Sequence, residues 1–140
     1  MSAPRPIVIA DPDADERARL VANVEAAARD RGLEIAVSEA ADGHQALALI
    51  DRLRPALVVA EILLPGPSGL ALIRRVREHL GEAAPLFLFV TAMSRESDRY
   101  WALRNGAHAY VIKPYEDEAL QARLRQALGE EAEPDRLALI

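Results

Sequence analysis

The sequence predicts an α/β fold, a doubly wound five-stranded parallel sheet of order 2-1-3-4-5. Three observations predict it. Apolar runs alternate with amphipathic segments five times from end to end, as βα units on a parallel sheet require. The central runs are continuously apolar, which fits strands covered on both faces. Polar residues suited to chemistry follow the first, third, fourth and fifth runs, at the sheet edge where such folds bind ligands. The handedness rule for crossovers leaves little further topological freedom.

The strands are expected at residues 7–10, 34–38, 56–60, 86–90 and 109–112, and the helices at 13–31, 44–53, 70–80, 97–105 and 116–128. Punctuation supports this division. Gly32 closes the first helix, Pro55 precedes the third strand, Gly81 to Pro85 precede the fourth, and Asn105-Gly106 closes the fourth helix. Leu120, Leu124 and Leu128 share one face of the last helix. Residues 5–129 form the expected domain. Residues 130–140, Glu-rich and then apolar, read as an acidic tail or the start of a linker.

A chain of 140 residues closes one ordinary core. The net charge of -5 argues against nucleic acid as the main partner. The absence of cysteine removes disulfides, thiolate chemistry and zinc–thiolate sites together. The start, Met1 to Pro6, lacks the apolar core of a signal peptide and no stretch is long enough to cross a bilayer, so the expectation is a cytoplasmic protein with no membrane partner. Lys113 is the only lysine among 17 basic side chains, which makes it conspicuous.

The chemistry collects at the strand ends. Asp11-Pro12-Asp13 follows the first strand, and alone it reads as capping, because acids offset a helix N-terminal dipole. Glu61 ends a buried strand, where an acid needs a partner. Strands one and three are neighbours in this topology, so Asp11, Glu61 and, if it turns inward, Asp13 converge on one crevice. Such oxygen ligands suit Mg²⁺. Thr91 and Lys113 close the fourth and fifth strands opposite them. Acids, hydroxyl and lysine together form a constellation for handling a phosphoryl group. The histidines, His44, His79 and His108, fall on different units without ligand spacing.

From Ile7 through Leu128 the chain resembles the receiver domains of bacterial two-component response regulators, which have a flavodoxin-like fold. The resemblance rests on Asp11, Glu61 with Leu64-Pro65-Gly66 and Gly69, Thr91-Ala92, Gly106-Ala107, Tyr110 and Lys113-Pro114. It implies that the strand-one acids hold Mg²⁺ and that position 61 is the phosphoacceptor, served by a histidine kinase. It also implies that Thr91 and Lys113 contact the phosphoryl group and that Tyr110 swings inward on activation. Partners would meet the face of helix four, strand five and helix five, where Tyr100, Trp101, Tyr110 and Tyr115 fall. The 97–107 stretch further resembles single-domain receivers of chemotaxis and pilus motility.

Two departures touch the chemistry. The second strand-one acid is replaced by Pro12, which has no ligand atom, so Mg²⁺ affinity falls unless Asp13 shifts into place. The acceptor is Glu61 where the family has Asp, and its extra methylene, about 1.5 Å, moves the carboxylate out of line. The resulting expectation is an atypical single-domain receiver, not an enzyme, that acts by protein–protein interaction without phosphorylation. A receiver phosphorylated despite Glu61 and a small Mg²⁺-dependent phosphohydrolase are the alternatives.

Overall fold

The computed structural model describes residues 3–132. Its five strands are β1 (Arg5–Ala10), β2 (Ile35–Ala40), β3 (Leu57–Ala60), β4 (Leu86–Thr91) and β5 (Ala109–Ile112). Its helices are α1 (Ala14–Asp30), α2 (Gly43–Leu53), α3 (Gly69–Leu80), α4 (Glu96–Arg104) and α5 (Asp117–Ala132). All strand pairs are parallel and the order is β2-β1-β3-β4-β5, as the alternation predicts.

Side-chain alternation along each strand divides the interior into two cores. Val8, Ala10, Val58, Ala60, Phe87 and Phe89 point to one face, where they pack with Ile50 of α2 and Leu72, Ile73 and Val76 of α3. Ile7, Ile9, Leu57, Val59, Leu88 and Val90 point to the other, against Leu20 and Val24 of α1 and Leu120 and Leu124 of α5. Register follows from this division. A one-residue slip would exchange the two faces of a strand. Each fully buried large aliphatic or aromatic side chain contributes about 1.5–3 kcal/mol, so a slip that lets them pack poorly is strongly disfavoured.

Helix ends follow local chemistry. Asp13, Asp42 and Ser68 cap α1, α2 and α3, accepting from Glu16, Gln45 and Ala71 N–H. The turn after β3 is tight at Gly69. A side chain there would meet Ile62 Cα at 2.8 Å and Phe89 Cε1 at 2.9 Å.

The last helix is longer than expected and continues to Ala132. Gly129 does not stop it, because the residue is buried where the Arg31 guanidinium covers it, and Glu130, Glu131 and Ala132 favour a helix. The rest of the expected tail, 133–140, lies outside the described residues.

Candidate functional site

Backbone pairing places the chemistry. Asp11 N–H donates to Ala40 O at 3.0 Å, Glu61 N–H to Ala10 O at 2.9 Å and Lys113 N–H to Thr91 O at 2.8 Å. Each residue is thus fixed at the carboxyl end of its strand by its neighbour, and the crevice opens beside β1 and β3. A cis Lys113–Pro114 bond follows β5.

Asp11, Glu61 and Lys113 meet there. The two carboxylates are buried, at 1% and 5% exposure. Lys113 Nζ lies between them, 2.8 Å from Asp11 Oδ2 and 3.1 Å from Glu61 Oε1. The remaining oxygens are also occupied. Asp11 Oδ1 accepts from Asp13 N–H at 2.9 Å, and Glu61 Oε2 accepts from Leu63 N–H at 3.1 Å. Burial acts to lower the Lys113 pKa, but the Asp11 hydrogen bond and the Glu61 charge outweigh it, and the net shift is upward. The ammonium is therefore the stable form through the neutral range.

The other expected residues behave differently. Thr91 is fully buried, but its Oγ1 accepts from Met93 N–H at 3.2 Å. Lys113, rather than Thr91, bonds the Glu61 carboxylate. Asp13 does not turn into the crevice, because its carboxylate accepts from Glu16 N–H at 3.0 Å as the cap of α1. Among the described residues no group of three or more acids and histidines is placed to hold a metal ion. The available donors are two carboxylates shared by one ammonium. Such a set fits a divalent cation poorly while the ammonium holds both acids, because the metal must displace it to reach them.

On the other side of the sheet edge, α4 exposes Tyr100 and Trp101, each 54% accessible and packed edge to face at 5.4 Å. Leu103 and Ile112 are exposed beside them in the sequence and on β5. Tyr110 is half-buried against the α2–α3 core and donates from its hydroxyl to Met93 O at 2.7 Å. Tyr115 departs from the expected face. Its hydroxyl donates to Glu16 Oε1 at 2.6 Å, and the Arg19 guanidinium lies 4.3 Å from its ring centre, so it packs toward α1. Beside it runs a polar chain that sequence reasoning missed. Gln121 donates to buried Asn23, and Asn23 and Arg19 both donate to Asp117. The available signal was Asn23 itself, a polar residue in the apolar register of Leu20, Val24 and Ala27.

The tyrosines give this arrangement a pH signature. Burial, then the charges of Asp98 and Glu61, push Tyr110 up to about 12. Burial and the bond to Glu16 push Tyr115 upward as well. A phenol pKa raised by folding stabilises the fold fully below the unfolded value, about 10. That contribution is lost as pH rises through the folded value. Alkaline titration is therefore expected to show the phenolate absorbance of these two residues only together with loss of far-ultraviolet helix signal. Ionisation of Tyr110 and Tyr115 near pH 10 (about the free value) with the helix signal intact would refute the packing described.

Comparison with known proteins agrees with this geometry. The family model for the response regulator receiver domain matches residues 7–125. The transcriptional regulatory protein TrcR of Mycobacterium tuberculosis is 36% identical over 124 residues, covering 89% of this chain and 47% of that protein. The chain thus spans about half the length of that relative. An uncharacterized 14.6 kDa protein of Leptolyngbya boryana is 38% identical over 109 residues, covering 77% of this chain and 78% of that one. A CheY-like receiver domain protein of Methanospirillum hungatei superposes with a TM-score of 0.75 at 23% identity, over 94% of this chain and 99% of that one. No helix among the described residues is long and apolar enough to cross a membrane. Sheet order, the acid–lysine crevice and the family match converge: the chain belongs to the response regulator receiver domains of two-component signalling.

Proposed function

We propose that this chain is an atypical receiver that signals by protein–protein interaction in the cytoplasm without being phosphorylated. The observation that carries this reading is Glu61. It stands at the acceptor position with one carboxylate oxygen on Lys113 and the other on Leu63 N–H. Its longer arm places a permanent negative charge nearer the place of a phosphoryl group, although one charge replaces nearly two. Tyr110 supports the same reading. Its hydroxyl reaches inward to Met93 O, the direction that the family resemblance associates with activation.

Receiver domains interact with partner proteins such as histidine kinases in two-component signalling. Here the proposed docking face is α4, β5 and α5, with Tyr100, Trp101 and Tyr110 on it. Tyr115, tied to α1, is left out. Receiver domains are generally signalling modules rather than enzymes.

The test is intact mass after incubation with Mg²⁺ and a small phosphodonor such as acetyl phosphate. The wild type is expected to stay unmodified. Gain of one phosphoryl group would overturn the proposal in favour of a receiver that works despite Glu61.

A further inference from the structure

Receiver domains in general bind Mg²⁺ at the phosphorylation site. We propose that in this chain Lys113 is the resident cation of the crevice. Its ammonium stands between Asp11 and Glu61, and with Pro12 in place of the third acid a divalent ion binds there appreciably only when the lysine is removed.

Three observations support this. The first is charge. Two buried carboxylates carry two negative charges, Lys113 offsets one of them, and the third acid of the family pattern is Pro12. The second is the commitment of the donors. All four carboxylate oxygens accept hydrogen bonds from the protein, and Asp13, the nearest spare acid, caps α1. An entering Mg²⁺ must expel an ammonium bonded to both acids, and it gains no third carboxylate in return. The third is position. The Lys113 backbone is locked to Thr91 O at 2.8 Å, and its side chain is only 20% exposed. The ammonium is thus held in the crevice rather than free in solvent.

Removing Lys113 reverses the balance. Asp11 and Glu61 would then face each other without a counter-charge, and two carboxylates with several waters form a serviceable site for a hard cation. The inference holds whether or not Glu61 accepts a phosphoryl group, because its test contains no phosphodonor.

The experiment uses the full 140-residue chain and measures Mg²⁺ or Mn²⁺ binding by calorimetry, together with Tm with and without Mg²⁺. The wild type is expected to show no Tm shift on adding millimolar Mg²⁺ or a chelator. Lys113→Met is expected to melt lower in chelator and to recover on adding Mg²⁺. Its affinity should exceed that of the wild type by at least about tenfold, the low end for changes around metal ligands. Wild-type binding as tight as that of Lys113→Met overturns the inference. If Lys113→Met does not fold in chelator, refolding on adding Mg²⁺ supports the inference and continued unfolding overturns it.

Discussion

Lys113→Met is expected to lower folding stability by about 3–5 kcal/mol at neutral pH in metal-free buffer, the usual loss when one partner of a buried ion pair is removed. The variant keeps an apolar stem of similar length, so packing changes little. What it removes is the one cation shared by two buried acids, Asp11 at 2.8 Å and Glu61 at 3.1 Å. The surviving carboxylates keep single backbone donors, Asp13 N–H and Leu63 N–H, which do not neutralise them. The sign with pH follows. In the wild type the Lys113 pKa is raised by folding, so its contribution is complete below the unfolded value, about 10.4. It is lost only as pH rises through the higher folded value. At neutral pH the full contribution is present. Urea unfolding at neutral pH measures the loss. A loss below about 1 kcal/mol, the range of surface pairs, would show that solvent already screens the crevice.

The size of that effect reflects how the sequence encodes the site. Strand identity was legible because β3 and β4 are buried on both faces and read as unbroken apolar runs. Once the sheet order followed, the ends of β1 and β3 had to adjoin, so the meeting of Asp11 and Glu61 was also legible, while the long side chain of Lys113 reaches them from β5 past the end of β4. What the sequence could not convey was the direction of side chains with two possible partners. Asp13 has a carboxylate that can cap a helix or face the crevice, and the orphan N–H of Glu16 takes it. Thr91 can reach Glu61 or the backbone of the next loop, and it bonds Met93. Tyr115 bonds Glu16 and lies under Arg19 instead of facing the α4 side. For Asp13 and Thr91 a backbone N–H two or three residues away wins over the remote crevice, and for Tyr115 a remote helix supplies the partner. The extension of α5 past Gly129 was hidden for a related reason. Glycine signals a stop when it adopts a positive φ, as Gly32 and Gly106 do, but Gly129 is used for close packing by Arg31.

The double substitution Pro12→Asp, Glu61→Asp is expected to turn the chain into a receiver that is phosphorylated by a small phosphodonor in the presence of Mg²⁺. In that step a carboxylate oxygen of position 61 forms a bond to phosphorus. The bond from phosphorus to the donor's leaving group breaks, and the leaving group departs with the electron pair. The attack needs the oxygen in line. Glu61 overshoots by one methylene, about 1.5 Å, and a displacement of that order costs about a hundredfold in rate. Glu61→Asp alone should therefore raise the rate from below detection to a slow, measurable uptake. It still lacks the ligand missing at Pro12, and Lys113 still stands between the remaining acids. Pro12→Asp alone supplies the ligand and leaves the attacking oxygen out of place. Only the pair supplies both, with the metal stabilising charge on the phosphoryl oxygens. The gain should exceed the product of the single effects, because position and charge act on one transition state. Intact mass over time for the four proteins, with chelator controls, separates the cases. An inert double variant would mean that the crevice around Lys113 and Thr91, rather than the two substituted positions, blocks the chemistry. Additive single effects would mean that the ligand and the acceptor act independently, contrary to the shared ammonium that joins them.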